Sequence, residues 1–336
     1  MKMVNCILIF IFFIAPSFDY AEEFKVSDKD VRYSVQYSFP QERESLINSP
    51  IDVIYNDGNI LFLGSNISRI LVFNEKKYLY SIGRPGMGPG DIFNPKSFCV
   101  FNDLIYVLNE GCRIEVFNKK GHAVKSIKLE IVGTLNIFAI TDFKVHGNHI
   151  YVSFGRGEVK LKKFDINGRF IENAINSSED KEFVSDGNFS NYRLSIFNNA
   201  IILVDQSSSR LEVYDLNSKK LLSYVKYVDP DVTKKYHEAI KKNSIGPNHL
   251  MKFIVARISF DEDNAIVNVL PLTQDKDRPF YFFYEINIRD NTIIKNKMFY
   301  PNARQEKIRF AFRGKYNSIY LIDENYEMYK IQKVGG

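Results

Sequence analysis

The stretch from Leu104 to Gly121 reads LIYVLNEGCRIEVFNKKG, and it decides the fold. Its two apolar runs, IYVLN and IEVFN, alternate with polar residues and flank a short polar turn. Alternation with a period of two predicts β-strands rather than helices. The 28 Phe and 20 Tyr of the chain agree, because aromatic side chains favour a pleated surface. The stretch is therefore predicted to form a β-hairpin.

The same hairpin recurs along the chain. Four copies align on an isoleucine, with spacings of 45, 45 and 51 residues, at Ile60, Ile105, Ile150 and Ile201. Two degenerate copies begin with AIVNVL at Ala265 and SIYLID at Ser318. A short strand precedes each hairpin, and another follows each of the first five. Repeats of this length with four antiparallel strands are typical of propeller blades.

The six copies predict an all-β fold, a six-bladed β-propeller with four-stranded antiparallel blades over residues 31–334. The approximate blade ranges are 50–83, 95–129, 141–174, 191–227, 254–299 and 308–334. The last blade lacks its outermost strand, and VRYSVQYSF at 31–39 alternates well. We expect this N-terminal strand to complete that blade and close the ring. A linear solenoid is the alternative, and it would require capping repeats that the sequence does not offer.

One segment departs from the strand pattern. Asp229-Pro230-Asp231 followed by VTKKYHEAIKKN combines an Asp cap, a Pro in the first turn and lysines near the end. The sequence therefore predicts one short inserted helix, 231–243, between blades four and five.

The N-terminus is predicted to be a signal peptide, residues 1–21. Lys2 precedes the apolar run VNCILIFIFFI, and Ala15, Ser17 and Ala21 follow it as small residues. The run is short for a membrane span, which needs about 20 apolar residues. The mature chain is thus expected to be exported, periplasmic or extracellular, without a transmembrane span. An uncleaved membrane anchor is the alternative.

Charge and cysteine content limit the partners and covalent links. The net charge of +5 is spread along the chain, so a nucleic-acid partner is not expected. Cys99 and Cys112 remain after signal removal. They would either form one disulfide or stay as two separate thiols, because a core of this size does not require a bridge.

The run IGRPGMGPGDIFNPKSFCV, from Ile82 to Val100, is the most specific local pattern. It resembles the connector of NHL-repeat-type six-bladed β-propeller proteins, in the form common among exported bacterial members. Arg113 stands where NHL repeats commonly place an arginine. The positions that carry the resemblance form a structural connector: Gly83, Gly86, Gly88, Pro89, Gly90, Asp91, Phe93 and Pro95. Only this connector keeps the full glycine pattern, and blade five matches the repeat loosely.

The connector glycines allow positive φ where the chain swings between blades, which is a structural role. A phosphate-binding loop is the alternative for GRPGMGPG. The run lacks the GK[ST] ending and a following helix, so this alternative is disfavoured.

Three arginines occupy equivalent places at the start of the third strand of their blades: Arg69, Arg113 and Arg210. They would form a positive ring for an anionic ligand or an acidic partner. Alternatively, each pairs with a nearby carboxylate or carbonyl and fastens its blade.

Further ligand-binding candidates lie on insertions. Tyr236 and His237 on the predicted helix would border one mouth of the channel, and Arg278 lies in the long turn of blade five. His146 and His149 flank a turn, but two histidines make a poor metal site, so no metal and no cofactor are predicted.

No catalytic motif occurs, so the sequence predicts an exported non-catalytic binding module whose propeller face holds a protein, peptide or glycan. The alternative is a propeller lyase or hydrolase with a polar or metal site in the central channel. A purely structural role on a cell surface is a third possibility. Three or more His, Asp or Glu side chains converging in the channel would favour the enzyme.

Overall fold

The computed structural model describes residues 22–23, 25–39, 50–64, 67–74, 77–131, 139–155, 157–177, 192–197, 199–205, 210–226, 256–261, 265–271, 280–299, 310–313, 318–322 and 328–333. Every regular element in these ranges is a strand. Within them, no helix is long and apolar enough to cross a membrane. The predicted signal peptide and the predicted helix 231–243 lie outside the described residues.

The strands follow the chain in six groups after an N-terminal pair. The first two are β1 (Glu22–Glu23) and β2 (Lys25–Phe39). Blade 1 contains β3 (Pro50–Asn56), β4 (Asn59–Gly64), β5 (Arg69–Phe73) and β6 (Tyr78–Ile82). The short β7 (Arg84–Pro85) and β8 (Asp91–Ile92) pair with each other in the connector. Blade 2 contains β9 (Ser97–Phe101), β10 (Leu104–Asn109), β11 (Arg113–Asn118) and β12 (Ala123–Lys128).

The remaining blades repeat this order. Blade 3 contains β13 (Ile140–His146), β14 (His149–Phe154), β15 (Val159–Asp165) and β16 (Phe170–Asn176). Blade 4 contains β17 (Tyr192–Phe197), β18 (Ala200–Asp205), β19 (Arg210–Asp215) and β20 (Leu221–Lys226). Blade 5 contains β21 (Ala256–Asp261), β22 (Ile266–Pro271), β23 (Phe280–Asn287) and β24 (Thr292–Phe299). Blade 6 contributes β25 (Phe310–Arg313), β26 (Ile319–Ile322) and β27 (Met328–Lys333).

The N-terminal strand β2 closes the ring. Its residues Tyr33–Phe39 pair antiparallel with β27 and supply the fourth strand of blade 6. The preceding residues Lys25–Arg32 pair parallel with β24, the outer strand of blade 5. Blades 5 and 6 thereby share one eight-stranded sheet, so the five large sheets of the protein contain six four-stranded blades. The predicted closing strand is confirmed, and it begins earlier than Val31.

The hydrophobic core lies between the blades. Separate buried clusters join blades 1 and 2, blades 2 and 3, blades 3 and 4, and blades 4 and 5. Tyr320 of blade 6 packs against the blade 1 cluster, and its ring stacks on Tyr55 at 6.0 Å. The alternating apolar residues of each strand fill these interfaces, as a propeller requires.

The strand order gives the ring two different faces. On one, which we call the turn face, two-residue turns join the first and second strands of blades, as at Asp57–Gly58 and Asn102–Asp103. Both residues of these turns have positive φ, the geometry of tight hairpins. On the opposite face, which we call the connector face, the outer strand of each blade ends and the inner strand of the next begins, as at Ile82 and Ser97.

Candidate functional site

Four polar residues from four inner strands meet at the axis of the ring. Asp52 lies in β3, Ser97 in β9, Asp142 in β13 and Arg193 in β17. Each occupies the same level of its blade, because each pairs with the equivalent residue of the second strand. We call these four residues the axial cluster. They lie near the start of their strands, toward the connector face.

Arg193 holds the axial cluster together. Its Nη2 lies 2.6 Å from Asp52 Oδ1, and its Nε lies 3.4 Å from Asp142 Oδ2. The Ser97 hydroxyl donates a hydrogen bond to Asp142 Oδ1. Because blades 1 and 4 stand opposite each other in a six-bladed ring, the Arg193–Asp52 contact crosses the axis.

The axial cluster is shielded from solvent. Side-chain exposure is 15% for Arg193, 9% for Asp52 and 1% for Asp142. Burial acts to lower the pKa of Arg193, but the charges of Asp142 and Asp52 outweigh it and raise that pKa above its usual value. The guanidinium therefore stays charged and tied to both carboxylates.

Backbone amides also donate hydrogen bonds to the carboxylates of Asp52 and Asp142. Asp142 Oδ1 accepts from Phe143 N at 2.8 Å, and Oδ2 accepts from Leu194 N at 2.9 Å. Asp52 Oδ1 accepts from Val53 N at 2.9 Å. An ionised carboxylate offers about four acceptor positions, and Ser97, Phe143 and Leu194 occupy three of those of Asp142, while Arg193 adds an ionic contact. A register shift precedes each aspartate, and such bulges redirect side chains.

The axial cluster was not predicted from the sequence, although a signal for it exists. Its members stand eight residues before the aligned isoleucines Ile60, Ile105, Ile150 and Ile201. Reading that column across the repeats gives Asp, Ser, Asp and Arg. A motif within one segment does not reveal such a cluster, because its members lie far apart in the chain.

The glycine-rich connector is fixed by its own acidic residue. Asp91 Oδ1 lies 2.5 Å from Arg84 Nε, and Asp91 Oδ2 accepts from Gly88 N at 2.9 Å. The hydrogen bond from Arg84 and then that from Gly88 lower the pKa of Asp91. Asn109 Nδ2 donates to the Asp91 carbonyl at 2.9 Å, and Asn109 Oδ1 accepts from Phe93 N at 3.2 Å.

Arg113 anchors this connector from blade 2. Its Nη1 donates to the Met87 carbonyl, and its Nε lies 2.6 Å from Glu115 Oε1. The buried Glu115 in turn accepts from Gly90 N at 2.7 Å and from Ser126 Oγ at 2.9 Å. The arginine and glutamate thus tie the connector to strand β11.

Arg210 occupies the equivalent place in blade 4 and contacts an equivalent glutamate. Its Nε lies 2.9 Å from Glu212 Oε1, and its guanidinium lies 5.0 Å from the Tyr224 ring. Lys160 from blade 3 donates to both Glu212 oxygens at 2.9 Å. Burial and then the charge of Glu212 raise the pKa of Tyr214, which donates to Glu212 at 2.9 Å.

The structure does not gather the other predicted candidates into one site. Arg69 is exposed at the start of β5. Tyr236, His237 and Arg278 lie outside the described residues. His146 and His149 pair across their turn, and no group of three or more His, Cys, Asp or Glu in the described ranges would hold a metal ion. Cys99 and Cys112 are both buried, and no disulfide joins them.

A half-open cavity of about 430 Å³ lies between blades 4 and 5. Its lining is mainly apolar, with Ser223, Arg289 and Asn291 among the lining residues. No residue of the axial cluster lines it. The volume falls within the range of small-molecule pockets.

The six four-stranded blades define this protein as a β-propeller. Residues 41–114 match the DUF5128 family, described as a 6-bladed beta-propeller. The matched stretch begins before β3 and ends in β11, well under half of the chain. No curated protein matches the sequence significantly.

Solved structures share the fold at low sequence identity. A Bacteroides fragilis protein whose name describes it as exported is 11% identical, with a TM-score of 0.58 over 93% of this chain and 99% of its own. A streptogramin B lyase is 11% identical, with a TM-score of 0.53 over 90% and 98%. An inactive variant of the virginiamycin B lyase from Staphylococcus aureus, solved with quinupristin, is 12% identical, with a TM-score of 0.53 over 90% and 100%.

Proposed function

We propose that this protein is an exported binding module that holds a protein, peptide or glycan on the connector face of its propeller. The observation that carries the proposal is the state of the axial cluster. Asp52 and Asp142 both pair with Arg193 and accept from backbone amides, so we expect neither carboxylate to serve as a proton-transfer group. We then expect the ligand to bind at the rim of the ring.

Of the two faces, the connector face is the better candidate for ligand binding. At least ten residues separate the outer strand of one blade from the inner strand of the next, whereas the first and second strands of blades 1 to 3 meet in two-residue turns on the opposite face. Longer loops on a rigid scaffold are where binding residues concentrate. Met87 supports this choice, because the tip of the anchored connector exposes 71% of this apolar residue.

Export and repeat type belong to the same proposal. The N-terminal segment has the charge, apolar run and small residues of a signal peptide, and the likeness to a protein described as exported is consistent with it. The connector and Arg113 support an NHL-type repeat.

The test is to screen the mature chain, residues 22–336, on glycan and peptide arrays and then compare two double variants. Met87→Asp with Arg69→Glu alters the connector face, and Lys120→Glu with Asn148→Asp is the matched control on the turn face. We expect the first variant to lose at least tenfold in affinity for the captured ligand and the control to keep it. Equal binding by both variants would refute the assignment of the face.

The second candidate is an enzyme, favoured by the convergence of Asp52, Asp142 and Arg193 on the axis. It predicts that the mature chain converts a glycan or a peptide to product in an assay by mass spectrometry. Turnover that Asp142→Asn abolishes in a folded variant would establish the enzyme and displace the binding module.

A further inference from the structure

A row of charged residues crosses blade 3 at the turn face. Lys144 in β13 pairs with Tyr151 in β14, Tyr151 pairs with Lys163 in β15, and Lys163 pairs with Glu172 in β16. Directly paired residues point to the same side of a sheet. The row therefore presents two lysines and one glutamate along a single side of the blade.

Blade 4 adds a third lysine to this row. Lys219 lies in the turn between β19 and β20, and its Nζ is 5.9 Å from the centre of the Tyr151 ring. Lys163 Nζ is also 5.9 Å from that ring, and the His149 ring is 6.3 Å from it. Two ammonium groups thus gather around one aromatic ring in the groove between blades 3 and 4.

Three carboxylates stand near these three lysines. Glu172 contacts Lys163 at 3.7 Å and is 45% exposed. Asp165 faces the amides of Asn167 and Arg169 at 2.8 and 2.9 Å. Asp215 accepts from the amides of its own turn, from Ser218 N at 2.6 Å. Both aspartates are thereby used to hold turns.

The repulsion between Lys163 and Lys219 persists despite these carboxylates. Burial and then the charge of Lys163 lower the pKa of Lys219, although Glu172 and Asp215 oppose this. Burial, Lys163 and Lys219 likewise lower the pKa of His149. An anion placed among these groups would relieve their mutual repulsion.

We propose that the groove between blades 3 and 4 at the turn face binds an oxyanion, a sulfate or carboxylate group, through Lys163 and Lys219 with His149 at its edge. The site lies on the face opposite the proposed ligand surface and does not depend on that function. The anion would come either free from solution or attached to an acidic saccharide.

The test is isothermal titration of the mature chain with sodium sulfate, a sulfated hexasaccharide, a uronate hexasaccharide and a neutral hexasaccharide at matched ionic strength. Matching the ionic strength removes the general screening of surface charge. We expect saturable binding of the acidic ligands and none of the neutral one. Sulfate binding without saccharide binding would identify the free ion as the ligand.

Two double variants locate the site. Lys163→Gln with Lys219→Gln removes its two ammonium groups, and Lys77→Gln with Lys120→Gln is the control, at exposed positions of blades 1 and 2. We expect at least a tenfold loss of sulfate affinity in the first pair and none in the controls. Lys163→Arg with Lys219→Arg keeps the charge and should retain binding, which separates loss of the site from loss of the fold. Unchanged affinity in the glutamine pair, or an equal loss in the controls, would overturn the proposal.

Met87→Asp with Arg69→Glu should leave sulfate binding intact, so the two proposals fail independently.

Discussion

Arg193 is the residue on which the centre of the ring depends. Removing two carboxylates and a guanidinium from water is costly, and the cost is offset only while all three remain paired. Asp142 is 1% exposed and accepts hydrogen bonds from two neighbouring inner strands and its own. The axial cluster therefore acts as a clamp that holds four blades at a fixed distance from the axis.

Arg193→Met should destabilise the protein by about 3–5 kcal/mol, because it leaves two buried carboxylates without their cation. Urea unfolding followed by circular dichroism measures this. Arg69→Met is the control, since an exposed arginine should change stability by no more than about 0.5 kcal/mol. Adding Asp52→Asn and Asp142→Asn to Arg193→Met should restore part of the loss. An Arg193→Met protein as stable as the parent would show that the axial cluster is not a clamp.

The two cysteines are the other residues whose chemistry the fold decides. Burial raises the pKa of the Cys112 thiol to about 11. At pH 8 roughly one thiol in a thousand would then be ionised, and the thiolate is the reactive form. The mature native chain should therefore resist Ellman's reagent, and two thiols per chain should react in denaturant. Ser218→Cys, an exposed control, should react at once. Rapid labelling of native parent chain, or no labelling of unfolded chain, would contradict this.

Among the elements, the connector between blades 1 and 2 has the most specific local sequence pattern. Its glycines were assigned to backbone geometry, and Gly83 and Gly90 do have φ of 76° and 80°. What the sequence did not reveal is that Asp91, Asn109, Arg113 and Glu115 brace it. Those contacts join residues from the connector and two strands, and no local period or motif encodes such a network.

Gly83→Ala tests the connector. A Cβ at Gly83 would lie 2.4 Å from Ile92 Cδ1 and 3.4 Å from Phe117 Cζ, inside the core between blades 1 and 2. Gly111→Ala is matched in backbone, with φ of 77°, but a Cβ there would meet nothing within 4 Å. We expect Gly83→Ala to lose on the order of 2 kcal/mol more than Gly111→Ala, because overpacking adds to backbone strain. Equal losses in chemical denaturation would mean that φ alone explains the glycine.

The N-terminal strand shows how far alternation can predict an element. Tyr33–Phe39 alternate between apolar or aromatic and polar residues in the sequence, and this period of two predicted the strand that pairs with β27. The preceding KVSDKD, from Lys25 to Asp30, carries four charges and few strand-forming residues. It is a strand because the unpaired edge of β24 offers backbone partners. An edge that is available only in the assembled fold leaves no pattern in the sequence.

At the scale of the whole molecule, β1 and β2 link the edges of three blades. β1 pairs with β20 of blade 4, the first half of β2 with β24 of blade 5, and its second half with β27 of blade 6. Only the last pairing completes a blade that would otherwise have three strands. Closure therefore depends on Tyr33–Phe39, whereas the earlier residues cover edges that are already parts of complete blades.

Two truncations separate these roles. A chain that begins at residue 33 keeps the fourth strand of blade 6, and one that begins at residue 40 loses it. The first should lose little stability and unfold in a single transition. The second should lose on the order of 5 kcal/mol, because several ladder hydrogen bonds of about 1 kcal/mol each disappear, and its total stability would fall close to the limit for a folded domain. Thermal unfolding and hydrogen exchange at β26 and β27 measure both effects. If the two truncated chains melt together, the closing strand does not hold the ring, and the pairing with β24 and β20 carries the N-terminal contribution instead.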